Sequence, residues 1–297
     1  MKKVFLSFLV GVFGFASFLD AKTSSPDIYT YNLGEVKVHL LSEGQNEGKT
    51  ALLIGANETI LKEYAPNGTF KNAVNAFLIQ TPNENILVDS GFGRKLFDNL
   101  KTLGVKAEDI NKVLVTHMHG DHIGGLLKDK EKTFKNAKVF ISKPEAAYWG
   151  SDEEKNKLPV DKQGGFLNAK NVLEIYKNDI TLFEPNELNA ITNKLFGDIS
   201  AVAAFGHTPG HTMFLVENKG EKLLIWADLT HAMQVQMPYP SVAIMYDVNP
   251  EEAVKSRKAV LEFVAKNKIP VAGMHISFPS FGTINKVGNG YQFTPVK

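Results

Sequence analysis

The chain has 297 residues, 43% hydrophobic and 22% charged, with 33 basic against 32 acidic side chains and no cysteine. That length allows a sizeable core, and a formal net charge of +1 supplies no field that would gather nucleic acid or acidic partners. Without cysteine there is neither a disulfide framework nor a thiolate metal site, so stability rests on packing and on whatever imidazole and carboxylate groups can bind.

Met1-Lys2-Lys3 is followed by a run from Val4 to Leu19 of almost only apolar or small residues, then Asp20, Ala21 and Lys22. This is the three-part pattern of a secretory signal peptide. Its sixteen apolar or small residues fall short of the roughly 20 that span a bilayer. We expect residues 1–21 to be removed and 22–297 to form a periplasmic or secreted domain without stable membrane insertion. Removal takes out Lys2, Lys3 and Asp20 and leaves a neutral remainder.

Val36, Val38 and Leu40 alternate with polar residues as a half-buried strand, with His39 on the opposite face as a surface or packed histidine. Leu52–Ile54 reads as a short strand. Residues 55–72, with Gly55, Asn57, Pro66, Asn67 and Gly68, read as a long loop. It is either a connector or a flap whose Tyr64 and Phe70 touch a ligand. Val74–Gln80 and Asn85–Val88 form a hairpin pattern that runs into Asp89-Ser-Gly-Phe-Gly93, and Leu96, Phe97, Leu100 and Leu103 mark an amphipathic helix closed by Gly104.

The stretch Val113-Leu-Val-Thr-His-Met-His-Gly-Asp-His-Ile-Gly-Gly125 follows. It holds three of the chain's eight histidines. Strand alternation points His117 and His119 the same way, and Asp121 with His122 opens the turn beyond. Imidazole and carboxylate without sulfur suit zinc and other first-row divalent ions. Downstream, Val139–Ile141 reads as a strand, Pro144–Trp149 as a short helix and Phe166–Tyr176 as a second helix. Tyr148, Trp149 and Phe166 are candidates either to line a pocket or to fill core.

Ile199–Phe205 is a strand ending in Gly206-His-Thr-Pro-Gly-His-Thr212. Phe214–Val216 and Leu223–Trp226 make a hairpin whose second strand ends in Ala227-Asp-Leu-Thr-His231. Asn249 caps a helix with Pro250 at its first position and Glu251 and Glu252 in the first turn. Val254, Val260, Leu261 and Val264 are its expected core face. Ile269–Ala272 is a last strand, ended by Gly273-Met-His275. Candidate ligands thus follow successive strands: the 117–122 group, His207, Asp228 and His275, with Asp89 in support. Placing chemistry in loops at strand ends is how sheet scaffolds build sites.

The His-x-His-x-Asp-His run with its downstream partners resembles the signature of the metallo-β-lactamase superfamily, over roughly residues 36–297. The segments 206–212, 227–231, 272–279 and 290–296 resemble most the exported branch of methyl parathion hydrolases and acyl-homoserine lactonases. The resemblance implies an α/β fold, a four-layer αβ/βα sandwich of two mixed sheets flanked by helices, with two divalent metal ions at one edge. Zinc is the expected metal; Mn, Fe, Co or Ni suit the same donors. It assigns His117, His119 and His207 to the first metal, Asp121, His122 and His275 to the second, and Asp228 to both. Asp89 and His211 stand behind the ligands and orient them, unless His211 simply packs at a tight turn. Asp121 and Asp228 take catalytic roles, and His231 is a candidate proton donor or pocket residue. One departure is Ala227, where many members carry glycine.

The implied activity is hydrolysis of neutral esters (lactones, aryl esters or phosphotriesters) by a metal-bridging hydroxide. Phe278, Phe281, Met237 and Tyr239 are expected pocket lining. The implied partners are a small-molecule ester or lactone and, as in related enzymes, a second copy in a homodimer; no nucleic acid is expected. The alternatives are β-lactam hydrolysis and a non-catalytic metal-dependent binding protein.

Overall fold

The computed structural model describes residues 27–297; the expected signal segment, residues 1–21, lies outside the described residues. Two sheets pack face to face. The first orders seven strands as Ile28–Leu33, Val36–Lys49, Thr69–Gln80, Asn85–Val88, Lys112–Leu114, Lys138–Ser142 and Ile180–Phe183. Its first four strands pair antiparallel and its last four parallel. The second sheet orders Ile199–Ala203, Thr212–Asn218, Glu221–Ile225, Val271–Ala272, Phe281–Val287 and Gly290–Pro295. It is antiparallel apart from the pairing of Glu221–Ile225 with Val271–Ala272.

The apolar runs are continuous because both faces of these strands are covered. Phe77, Val88 and Leu114 join Phe214, Ile225, Ala272 and Phe281 in the core between the sheets. Their immediate neighbours Leu78, Leu87 and Val113 face outward onto Leu96, Leu100, Phe166 and Val172 of the helices. On the far side, Val260, Leu261 and Val264 of the helix Pro250–Asn267 cover Leu215, Leu224 and Val271. The layers run helix, sheet, sheet, helix, the four-layer α/β sandwich expected.

Two expectations need correction, and a third is decided between its alternatives. Residues 55–72 are not one long loop: Asn57 caps a helix, Glu58–Tyr64, by accepting from the Ile60 amide, and the next strand starts at Thr69. The asparagine taken as a loop marker is a helix N-cap. On the helix Pro250–Asn267 the core positions are Ala253 and Arg257, not Val254, alongside Val260, Leu261 and Val264. His39 is a packed histidine between Thr30 Oγ1 at 2.9 Å and Gln80 Oε1 at 2.8 Å.

Candidate metal centre

The strand Lys112–Leu114 stops short of the histidines, but the chain stays extended, with the Val115 amide donating to Phe140 O at 3.0 Å. Thr116 is then pinned twice by buried Asp89: its amide donates to Oδ1 at 2.8 Å and its hydroxyl to Oδ2 at 2.7 Å. His117 Nδ1–H donates to that hydroxyl at 3.1 Å. His119 caps the four-residue helix Gly120–Ile123, which turns Asp121 and His122 back toward the same spot. His122 Nδ1–H donates to Asp89 Oδ2 at 2.8 Å. One carboxylate at a strand end therefore orients His122 directly and His117 through Thr116, and in both rings it leaves Nε2 free for a cation.

The other strand ends converge there. His117 Nε2, His119 Nδ1 and His207 Nε2 approach to 3.1 and 3.0 Å in sequence. Asp228 lies between all parts. Its Oδ1 is 3.3 Å from His122 Nε2, and its Oδ2 is 2.9 Å from His275, 3.1 Å from His231, 3.3 Å from His207 and 3.6 Å from His117. The Asp228 amide donates to His211 Nε2 at 3.0 Å, and His211 Nδ1–H donates to Ala204 O at 2.9 Å. His211 thus fixes the main chain of Asp228 and packs with the rest of the turn. Among the described residues, three groups have ligand atoms within 4.8 Å of one another: His117, His119, His207 and Asp228; Asp121, His122 and His275; and Asp228, His231 and His275. His231 has ligand geometry as well, beyond the pocket or donor role its position suggested.

Two glycines permit the close approaches. A side chain at Gly206 (φ +122°) would lie 2.0 Å from the Ala253 amide, and one at Gly210 would lie 2.2 Å from the Glu145 amide. Glu145, fully buried, receives four hydrogen bonds: from Met118 N (2.8 Å), Trp149 Nε1 (2.6 Å), Thr208 Oγ1 (2.7 Å) and Gly210 N (2.9 Å). It ties the His117–His119 strand end to the His207 turn. His207 Nδ1–H donates to Asp247 Oδ1 at 2.8 Å. His275 Nδ1–H donates to Ala73 O at 2.7 Å and to Asn72 Oδ1 at 3.1 Å. Neither Glu145, Asp247 nor Asn72 has ligand spacing in the sequence, so sequence alone does not point to them.

Charge in the cluster is arranged for cations. Burial opposes ionisation of Asp228, but His122, His275 and His117 outweigh it and hold the carboxyl well below its usual range. Burial likewise opposes charge on His207, and Asp228 with Asp247 overcomes it, raising the imidazole to about 9. The same balance raises His122 and His275. Burial, then His122, keeps His117 neutral, and burial takes His211 to about 3 and His231 to about 4. His122 Nε2 and Asp228 Oδ1 are buried without a hydrogen-bond partner, a cost of about 1–3 kcal/mol each that a bound cation removes; His231 Nδ1, on the side of that ring away from Asp228, is buried and unpartnered as well. The donor set and these orphaned atoms fit divalent metal ions.

Above the cluster is a cavity of about 600 Å³, bordered by Leu52, Phe70, Val74, Phe92 and Tyr246 with Asn46, Glu47 and Asn72; no Lys or Arg lines it. The Asp121 side chain, 24% exposed, opens toward it. Phe70 lines the cavity as anticipated, whereas Tyr64 does not: it packs edge-on against Tyr239. The expected lining by Phe278, Phe281, Met237 and Tyr239 is also corrected. Phe281 is buried between the sheets, stacked 5.2 Å from Tyr31, and Phe278 packs against Tyr29. Met237 and Tyr239 border a separate cavity of about 630 Å³. Trp149 backs His119 at 5.5 Å and, with Tyr148 and Phe166, belongs to the outer core.

Residues 70–268 match the profile of the metallo-beta-lactamase superfamily. Hydrolase AbOPH, a β-lactamase superfamily structure, superposes with a TM-score of 0.82 at 30% identity, covering 91% of this chain and 98% of that one. AidC, described as a dizinc quorum-quenching lactonase in complex with a homoserine product, superposes with a TM-score of 0.82 at 25% identity, covering 91% and 97%. The uncharacterized protein YobT of Bacillus subtilis (strain 168) is 26% identical over 200 residues, 64% of this chain and 78% of YobT.

Proposed function

The chain belongs to the metallo-β-lactamase superfamily, and from that premise we propose that it is a dinuclear metal hydrolase of neutral esters: lactones, aryl esters or phosphotriesters. The observation that carries this is the position of Asp228, whose carboxylate reaches both histidine groups: Oδ2 lies 3.3 Å from His207, 3.6 Å from His117 and 2.9 Å from His275, and Oδ1 lies 3.3 Å from His122. His117, His119 and His207 would hold one cation, Asp121, His122 and His275 the other, and Asp228 both. The cations would supply Lewis acidity and make water a nucleophile at neutral pH.

The protein's own groups do the rest. Asp121, the cluster carboxylate open to the cavity, orients the attacking water and takes its proton. His231, neutral and donating Nε2–H to Asp228 at 3.1 Å, offers an unpartnered Nδ1 as an acceptor rather than an imidazolium proton. Leu52, Phe70 and Phe92 exclude water around the acyl or aryl group. No Lys or Arg among the described residues lines the cavity, so the carboxylate of a penicillin or cephalosporin has no side-chain cation to pair with there, and that alternative fits less well. Likeness to a dizinc lactonase supports the same reading.

The test is metal analysis of zinc-loaded protein alongside a panel of a long-chain lactone, a p-nitrophenyl ester, an aryl phosphotriester and nitrocefin. We expect two metals per chain and chelator-sensitive turnover of at least one neutral ester. Turnover of nitrocefin alone would overturn the substrate class. Two bound metals with no turnover of anything would favour a binding protein.

A further inference from the structure

Arg257 stands on the core face of the helix Pro250–Asn267, among Ala253, Val260, Leu261 and Val264, with its side chain 1% exposed. A buried guanidinium is costly unless its donors are satisfied, and here they are met by main chain. Nε donates to Leu229 O at 2.7 Å, and Nη1 donates to Val242 O at 2.8 Å and Pro240 O at 3.2 Å. Its one carboxylate neighbour within 4.0 Å among the described residues is Asp247, reached by Nη2 at 4.0 Å. Asp247 Oδ2 also accepts the Ile244 amide at 3.0 Å, while Oδ1 holds His207. The contacts close a ring. Arg257 holds Leu229, whose neighbour is Asp228; Asp228 faces His207 at 3.3 Å; His207 is held by Asp247; and Asp247 faces Arg257. An apolar side chain of similar volume would fill the space without this cost, so packing alone does not account for an arginine here.

We propose that Arg257 and Asp247 are positioning residues for the first metal, fixing His207 from behind while His211 holds the Asp228 amide, so that they set the affinity of the metal on His207 and leave the other unchanged. This rests on the reading of His207 as a metal ligand. Asp247 keeps His207 in the tautomer that presents Nε2, and Arg257 keeps Asp247 and Leu229 at fixed separation.

The experiment measures zinc affinity by competition with a chromophoric chelator, and the absorption spectrum of the cobalt(II)-loaded protein, for wild type, Asp247→Asn, Arg257→Lys, Arg257→Gln, the Asp247→Asn/Arg257→Lys double variant and His207→Ala. Loss of such supporting hydrogen bonds weakens metal affinity about 10- to 100-fold. We expect that loss for one of two metals in Asp247→Asn, a loss of at least about 3-fold at the same metal in the Arg257 variants, and a double variant no weaker than Asp247→Asn alone. Altered cobalt bands at one site with the other set unchanged would accompany it. Equal weakening of both metals, or additive effects in the double variant, would mean that Arg257 acts only on general stability, and the proposal falls. Wild-type affinities in folded Asp247→Asn and either Arg257 variant would also overturn it, while His207→Ala still loses one metal. Two metals bound at wild-type affinity by His207→Ala would instead remove the ligand reading itself.

Discussion

The two halves of the cluster are built from similar donors but supported in different ways. In the half made by His117, His119 and His207, the supports are buried side chains from distant segments: Glu145 bridges the two histidine-bearing turns, and Asp247 holds His207. In the half made by Asp121, His122 and His275, the supports lie on two strands of the first sheet. Asp89 ends one of them, and Ala73 O and Asn72 of the strand Thr69–Gln80 hold His275. Asn75 of the same strand donates to Gly273 O at 3.2 Å and Ile276 O at 2.8 Å, clamping the turn that carries His275. A ring held by a main-chain carbonyl cannot lose its partner to a point mutation; a ring held by a carboxylate can. His207 on Asp247 and His122 on Asp89 are therefore the rings that mutation behind the ligands should loosen, whereas His275 keeps Ala73 O.

The largest effect should come from the residue the halves share. Asp228→Ala removes the only carboxylate among the described residues within reach of both histidine groups, and several kcal/mol of transition-state stabilisation go with the cations. At 1.36 kcal/mol per decade we expect at least about 10³-fold loss of turnover, with no metal retained through gel filtration. Retention of one equivalent would break the comparison differently, showing halves that bind independently of the bridge.

Glu145→Gln should be next. An amide has one acceptor oxygen where the carboxylate has two, and its NH₂ would meet amide and hydroxyl donors. Leaving buried donors unpaired near a removed charge costs about 2–4 kcal/mol, or a melting temperature lower by about 5–10 °C at this size. Because Met118 lies between His117 and His119, and Thr208 follows His207, the first metal should weaken and the second should not. Thermal melts and chelator competition on the same sample check both statements; a lower melting temperature with both affinities intact would confine Glu145 to stability.

Asn72→Ala is the matching test on the other half. It removes an acceptor 3.1 Å from His275 Nδ1, but Ala73 O remains at 2.7 Å. Losing the weaker of two acceptors costs about 0.5–1 kcal/mol, so we expect about 3-fold weaker binding of the second metal in the same titration. A 100-fold loss would show this half to depend on side chains as much as the first.

The asymmetry also marks what sequence could reveal. The ligand candidates were legible because each follows an apolar run: Val115 before His117, Ala203 before His207, Ile225 before Asp228 and Ala272 before His275. Asp89 was legible for the same reason. Glu145 and Asp247 were not, because a buried carboxylate that serves amides and one ring leaves no periodic trace. Arg257 did leave one. It sits four residues after Ala253 and three before Val260, in step with the apolar stripe, where a cation needs a reason. The cavity walls were misread at Met237, Tyr239, Phe278 and Phe281 because nearness in sequence to a ligand does not decide which side of the chain an aromatic ring takes. Phe92 and Tyr246, on turns between elements, line the cavity beside the expected Phe70 of the strand Thr69–Gln80.

The smallest expected effect concerns Ala227, immediately before the shared carboxylate. Its φ of +53° lies in the left-handed region, which accounts for the glycine that proteins resembling this motif carry there. Relief of the left-handed strain by Ala227→Gly is worth about 1–2 kcal/mol. Against this, the methyl is fully buried in the core between the sheets and its loss costs about 0.8 kcal/mol. The extra freedom of glycine in the unfolded chain costs about 0.5–1 kcal/mol. The terms nearly cancel, so the melting temperature should stay within about 3 °C of wild type, with two metals still bound. The Asp228 amide is held separately by His211 at 3.0 Å, so the ligand keeps its place whichever residue precedes it. A fall of more than about 5 °C, or loss of either metal, would show that the methyl itself wedges the bridging carboxylate between the two halves.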